Sequence, residues 1–375
     1  MVTLVHTRGR GSFELYSAQL ARRLPHWGTT FYADTIRTSR NASLLSKTSA
    51  VSLAQEVAFV RELRRLGPVH LPNQHLARYA SFLDHSIVTV HDLIRLKDIG
   101  RGLIDGELGK RERLYLRADA RGLERAAHII AVSWKTAQEV IGVGLDPRKV
   151  TVVHNGVDHQ RFRPVPAQRT GYVLYVGTEQ PRKNLPRLIE AVAQTDLRLV
   201  KAGVAGDGDR AVTMRAIREN GMTERVDMLG YVPEATLPYL YAGAEALVLP
   251  SLYEGFGLPV LEAMACGCPV VTTDGGAIPE AAGRGAVYVD PQRPEDIAEG
   301  ILRAIAQRER LRRFGFEQAS KFSWDRCAQE TAAVYERTRS ASRRTASRTV
   351  AVVGSRPRPA SAPVGARRTP RTRPT

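Results

Sequence analysis

The 375-residue chain is poor in cysteine, and Cys266, Cys268 and Cys327 are its only three. Three thiols cannot make a disulfide framework, and no His/Cys cluster has the spacing of a zinc site. A reducing, cytoplasmic compartment is the expectation. Long hydrophobic runs are also missing: no stretch approaches the roughly 18 apolar residues that a membrane-spanning helix needs. The opening Met1–Arg8 segment lacks the basic-then-apolar order of a targeting leader and predicts a first strand instead. Aromatic residues are only 6% of the chain, yet hydrophobic residues reach 43%, which excludes wholesale disorder. The length suggests two domains.

Acidic residues are absent from one end. Residues 337–375 hold eleven arginines and no Asp or Glu, while the whole chain carries 55 basic and 38 acidic side chains, net +17. Removing the tail leaves 44 basic and 38 acidic side chains, a balance of +6. The body is mildly basic, and the charge belongs to the tail. That tail lacks aromatics, Leu and Ile, so it cannot bury a core and is expected to be disordered. Without interleaved aromatics, specific nucleic-acid recognition is not expected of it.

The body alternates β-branched runs with helical patterns, which favours parallel sheets covered by helices. Strands are predicted at Val2–His6, Thr29–Ala33, Ile87–His91, Ile129–Val132 and Val150–His154, with Ser133 as a helix N-cap. The pattern breaks at Arg163-Pro164-Val165-Pro166, and Tyr172–Val176 starts a second series. Two doubly wound α/β domains are expected to meet near residue 165, with ligands at the carboxyl ends of their strands.

Two stretches carry chemistry. In the first, Leu249-Pro250 ends a buried strand, and Glu254-Gly255-Phe256-Gly257-Leu258-Pro259 turns into a helix that includes Glu262 and stops near Gly267. The unpaired amides around Phe256, Gly257 and Leu258 form a phosphate site in outline. Glu254 and Glu262 would repel that phosphate unless they bind hydroxyls, which points to sugar and ribose. The plainer alternative makes Glu254 a helix cap and Glu262 an exposed helical glutamate. In the second stretch, Val176-Gly177-Thr178-Glu179-Gln180-Pro181-Arg182-Lys183-Asn184 follows the first strand of the second series. Arg182 and Lys183 can neutralise a departing diphosphate through charge-assisted hydrogen bonds, or they are simply two solvated loop cations.

These stretches resemble the family-4 retaining glycosyltransferases of the GT-B fold, which place two Rossmann-like domains around a cleft. Glu254 to Glu262 matches that family's Glu-x7-Glu motif. The Arg182-Lys183 loop matches its donor-diphosphate loop in the form seen in mannosyltransferase-like members. His154-Asn155-Gly156-Val157-Asp158 and Phe322-Ser323-Trp324 extend the likeness, which covers about residues 87 to 337 and is weakest between 30 and 80.

The resemblance implies an acceptor-side domain over 1–165 and a nucleotide-sugar domain over 166–322. A helix at 323–337 would cross back to the first domain, followed by a tail at 338–375. Glu254 would hold donor-sugar hydroxyls and Glu262 the ribose, while Arg182 and Lys183 bind the diphosphate. Gly255, Phe256, Gly257 and Leu258 would complete the anion site. His91, at the end of a strand followed by Asp92-Leu93, would lie near the transferred sugar. Gly9 and Gly11 occupy the first strand-to-helix turn, where backbone approaches the donor closely.

The implied reaction is transfer of a hexose, mannose favoured, from a nucleoside diphosphate sugar to a hydroxyl acceptor with retention. GDP-mannose is the favoured donor and a UDP-sugar the runner-up, with no metal or cofactor. The acceptor is a glycan or lipid-linked, in polysaccharide or glycolipid synthesis, and the basic tail would allow peripheral contact with an anionic inner membrane face. The alternative is a non-catalytic nucleotide-sugar-binding protein whose tail binds nucleic acid or membrane. Asp207-Gly208-Asp209 matches the metal motif of a different glycosyltransferase fold and reads better as a solvated turn. Cys266-Gly267-Cys268 reads as a helix end followed by a buried strand.

Overall fold

The computed structural model describes residues 2–6, 11–24, 30–32, 49–97, 110–204 and 209–353, with no side chain described beyond residue 339. Met1–Tyr335 is one compact unit and Glu336–Thr375 a second. Two parallel six-stranded sheets lie in the first unit.

The first sheet contains β1 (Thr3–His6), β2 (Thr30–Tyr32), β3 (Val69–Leu71), β4 (Ser86–Val90), β5 (His128–Ala131) and β6 (Val150–Val152). Its strand order is β2-β1-β3-β4-β5-β6. The second contains β7 (Tyr172–Val176), β8 (Arg198–Ala202), β9 (Val226–Gly230), β10 (Ala246–Leu249), β11 (Val270–Thr272) and β12 (Ala286–Tyr288). Its order, β12-β11-β10-β7-β8-β9, is that of a doubly wound dinucleotide-type sheet read from the far edge. All pairings are parallel, and every residue of β4 and β10 is buried. Their Ile/Val/Leu-rich runs are what a strand covered on both faces requires.

The helices of the first half are α1 (Ser12–Arg23), α2 (Ser49–Arg65), α3 (Ile94–Lys97), α4 (Lys110–Arg125) and α5 (Trp134–Gly142). The second half adds α6 (Leu185–Ala193), α7 (Asp209–Glu219), α8 (Leu237–Gly243), α9 (Leu258–Ala265), α10 (Ile278–Ala282), α11 (Pro294–Ala306), α12 (Arg308–Ala319) and α13 (Trp324–Val353). Ser133 caps α5 as its position predicts, accepting from the Thr136 amide at 3.0 Å.

One core lies about the second sheet, and two cover the faces of the first. Trp324, Cys327, Ala328 and Tyr335 join Leu4, Tyr16 and Ile87 in one of the latter, so the start of α13 packs on the first sheet. A Cβ on Gly156 would lie 2.1 Å from the Trp324 amide nitrogen, so only glycine lets the two connecting segments pass this closely.

Two expectations need correction. Helix α13 continues to Val353 and does not stop near 337. Its Ala- and Arg-rich sequence suits a helix up to Gly354, and residues 354–375 lie outside the described residues. Asp209 is buried as the first residue of α7, not part of a solvated turn, while Asp207, Gly208 and Gly9 lie outside the described residues.

Candidate active site

Strands β7 and β10 are neighbours in the sheet, yet their chain connections leave in opposite directions, β7 toward β8 and β10 toward β11. The crevice beyond their carboxyl ends is where an open α/β sheet places its ligand. Arg182 and Lys183 leave β7 in a 3-10 turn, Pro181–Lys183, and Glu254 follows β10. Asn184 closes that turn in the left-handed conformation (φ 58°), one that Asn tolerates better than most residues. Its Nδ2 donates to the Pro250 and Pro291 carbonyls at 3.1 and 2.7 Å, and the Leu252 amide donates to the Arg182 carbonyl at 2.8 Å. The two loops are therefore stitched together before their charges meet.

Lys183 Nζ donates to Glu254 Oε1 at 2.5 Å, and Ser251 Oγ donates to the same oxygen at 2.7 Å. Arg182 reaches Glu254 Oε2 at 3.2 Å and the Tyr253 carbonyl at 3.1 Å. Glu254 is buried, which by itself raises a carboxyl's pKa. The Lys183 ammonium and Arg182 guanidinium reverse that effect and hold it down at about 2. Burial lowers Lys183 while Glu254 opposes the shift, and the charged pair is the state that fits the geometry. Neither cation is a solvated loop residue, and Glu254 is not a helix cap. The N-cap of α9 is Gly257, in the left-handed region (φ 98°) with no side-chain bond.

The first sheet supplies the facing wall. A Cβ on Gly255 would lie 2.1 Å from the His91 carbonyl oxygen, so the Glu254 turn rests directly on the residue that follows β4. The His91 ring is buried against Phe13 and Tyr16, at centroid distances of 4.8 and 4.9 Å. Burial lowers its pKa to about 4, although the Pro72 carbonyl contact opposes the shift. Nε2 lies 2.9 Å from that carbonyl and must donate to it, so the neutral ring keeps its lone pair on Nδ1. Asp92 is half-buried, its pKa raised by burial against the pull of Arg182. Gly11 is the N-cap of α1, and its amide donates to Glu14 at 3.0 Å.

Glu262 stands apart from this cluster. It projects from α9 into a cleft lined by Leu258, Arg161, Glu234, Gln19 and Trp324. It is half-buried, not exposed, and Tyr241 Oη donates to its Oε2 at 2.8 Å. Burial raises its pKa to about 7 against that hydrogen bond. Phe256 is buried, with His154 and Phe322 around its ring at 5.9 and 5.7 Å, so only its backbone is offered to a ligand.

Several residues of the site carried no sequence signal. Ser251 and Tyr253 stand beside Glu254 but look like ordinary turn residues. Lys201 reads as a strand end, yet it is completely buried and donates to Glu179 Oε1 at 3.0 Å, with Arg210 on the same oxygen at 2.9 Å. Cys266 and Cys268 are buried at the α9–β11 junction as free thiols. Among the described residues, no group of three or more His, Cys, Asp or Glu side chains is arranged to hold a metal ion.

The family model of glycosyltransferase family 4 matches residues 2–161, and that of glycosyl transferases group 1 matches 157–321. O-antigen chain mannosyltransferase B of Escherichia coli is 40% identical over 176 residues, 44% of this chain and 46% of that protein. D-inositol 3-phosphate glycosyltransferase of Geodermatophilus obscurus is 30% identical over 306 residues, covering 75% of this chain and 67% of that protein. The chain thus spans about half the length of the first of these relatives and two thirds of the second. Among solved structures, Anabaena HepE in complex with UDP and glucose superposes with a TM-score of 0.74 at 20% identity. That match covers 89% of this chain and 99% of HepE.

Proposed function

This chain belongs to the family-4-like glycosyltransferases of the GT-B fold, and from that premise we propose that it transfers a hexose from a nucleoside diphosphate sugar to a hydroxyl acceptor with retention. The observation that carries the reading is Glu254 held between Lys183 and Arg182 at the crevice of the second sheet. An incoming diphosphate competes with Glu254 for the two cations. As Lys183 and Arg182 turn to the phosphate oxygens, the carboxylate is released toward the sugar hydroxyls. Glu262 accepts from the ribose, and the backbone around Gly257 and Leu258 completes the anion site.

The bond between the anomeric carbon and the phosphate oxygen breaks while the acceptor oxygen attacks from the same face. The acceptor's proton passes to the departing diphosphate, so no protein nucleophile is needed. Lys183 and Arg182 act mainly in this transition state, where negative charge grows on the leaving group. His91 stays neutral near physiological pH, and with Nε2 donating to the Pro72 carbonyl its Nδ1 is left to accept a hydrogen bond at the reaction centre.

A mannosyl donor such as GDP-mannose is favoured by the form of the 177–184 loop and by the mannosyltransferase among the relatives. A UDP-sugar is the competing donor, since HepE was solved with UDP and glucose. The acceptor is a glycan or lipid-linked hydroxyl. Release of nucleoside diphosphate from a panel of GDP- and UDP-sugars, with and without added acceptor hydroxyl, tests the reading. Turnover with GDP-mannose above all others supports it, turnover with a UDP-sugar alone replaces the donor, and binding without release from any donor overturns the enzyme.

A further inference from the structure

Helix α5 belongs to the first sheet's half of the molecule, yet residues of the other half grip it at two points. Its first two amides, Trp134 N and Lys135 N, donate to Glu280 Oε2 and Oε1 at 2.7 and 2.8 Å. A carboxylate here meets two helix-end donors that no residue within the helix satisfies, and it complements the positive end of the helix dipole. One turn along, Tyr253 Oη donates to Glu139 Oε2 at 2.5 Å. His154 Nε2 lies 3.1 Å from Glu280 Oε2 and adds a third partner to the carboxylate.

Both gripping residues belong to one slab of loops around Glu254. Tyr253 is its chain neighbour. The Ala277 amide donates to the Glu254 carbonyl at 2.9 Å, and Gly276 pairs with Glu254 in an isolated parallel bridge, four residues before Glu280 in α10. Gly276 has φ 70°, and a Cβ there would lie 2.2 Å from the Glu254 carbonyl oxygen, so the two loops are in backbone contact. On the other side, α5 is tied to the end of β4. Thr136 Oγ1 donates to the His91 carbonyl at 3.4 Å, beside the point where Gly255 rests on that oxygen.

We propose that Glu280 and Tyr253 are positioning residues: by clasping α5 they fix the Glu254 loop against His91, so that the donor-sugar carboxylate and the facing wall keep one geometry. Neither residue touches the donor in this account. The inference rests on the reading of Glu254 as the donor-sugar residue.

The test compares Tyr253→Phe and Glu280→Ala with the full-length wild type, using folded protein and the most active donor from the nucleotide-sugar panel. Tyr253→Phe keeps the ring and removes only the hydroxyl, so it remains informative if Glu280→Ala does not fold. Misplacement of a reacting group by about 1 Å costs on the order of 100-fold in rate, and a loosened clasp should cost about tenfold in kcat with donor KM changed less than twofold. Glu280→Asp, which keeps the carboxylate, should recover part of the loss. In parallel, dye-pair distance distributions between the two sheets should broaden in both variants, whether or not a donor is turned over. Unchanged kcat with an unchanged distribution overturns the clasp, as does a rise in KM alone. A wild type that releases nucleoside diphosphate from no donor overturns the functional reading instead, and the distance distributions still decide the clasp.

Discussion

Two clusters of the same composition sit at opposite ends of one loop. Glu254 lies between Lys183 and Arg182, and Glu179 lies between Lys201 and Arg210. Each is a carboxylate with one lysine and one arginine. The Glu179 and Lys201 side chains are wholly inaccessible, and Lys201 also donates to the Gly203 carbonyl at 2.5 Å. That cluster is a closed structural tie between β7's loop and β8. The Glu254 cluster instead borders His91 and Asp92 of the facing sheet, and in the proposed reaction a donor phosphate would replace its carboxylate. Under the proposed reaction, composition does not separate the catalytic ion cluster from the structural one; position relative to the seam between the sheets does.

The sharpest way to break the comparison is to remove the lysine of the sealed cluster. Lys201→Ala leaves Glu179 buried with only the half-exposed Arg210, which should cost about 3–5 kcal/mol, or roughly 10 °C in Tm by thermal melting. The double change Lys201→Met with Glu179→Gln should recover much of that loss, because a neutral pair needs no charge desolvated. Next in size, Glu254→Gln should lower turnover by roughly 100-fold with a smaller change in donor KM, measured by nucleoside diphosphate release.

A smaller effect is expected at Glu262, whose pKa burial raises from 4.5 to about 7. The folded state holds this proton more tightly than the unfolded state does. Its contribution to stability is thus complete at low pH and lost as pH rises through about 7. Donor KM should run the other way, falling as pH rises through about 7 and the carboxylate becomes the stronger acceptor for ribose. Glu262→Gln should flatten both profiles, seen in melts and in KM measured from pH 6 to 8. The smallest effect belongs to the tail. Truncation after Glu336 removes eleven arginines and should change turnover on a soluble acceptor less than about twofold. Salt-sensitive binding to anionic vesicles should be lost with it.

Much of this was legible in the chain. The apolar strand runs, the Ser133 cap and the Pro259 helix start follow from local chemistry, and both loops of the crevice stood out by their Arg-Lys and Glu-x7-Glu patterns. Strand β3 and helix α2 did not, because a three-residue strand is too short to show alternation and the apolar residues of α2 are spread around the helix and not gathered on one face. Lys201 was misleading: a lysine closing a strand reads as solvent-facing unless its partner, 22 residues earlier, is known. The α5 contacts were invisible for the same reason. Tyr253 and Glu139 are 114 residues apart, and Glu280 meets Trp134 across 146. Only the packing of the two sheets brings them together.

The claim that seam position makes one cluster reactive and the other structural is tested most directly by turnover at saturating donor. Lys183→Ala is compared with the Lys201→Met, Glu179→Gln double variant at a temperature where circular dichroism shows both folded. The account predicts a loss of about 100-fold in kcat for Lys183→Ala and a change of only a few-fold for the double variant. Near-wild-type turnover in Lys183→Ala, or an equal loss in both, contradicts it.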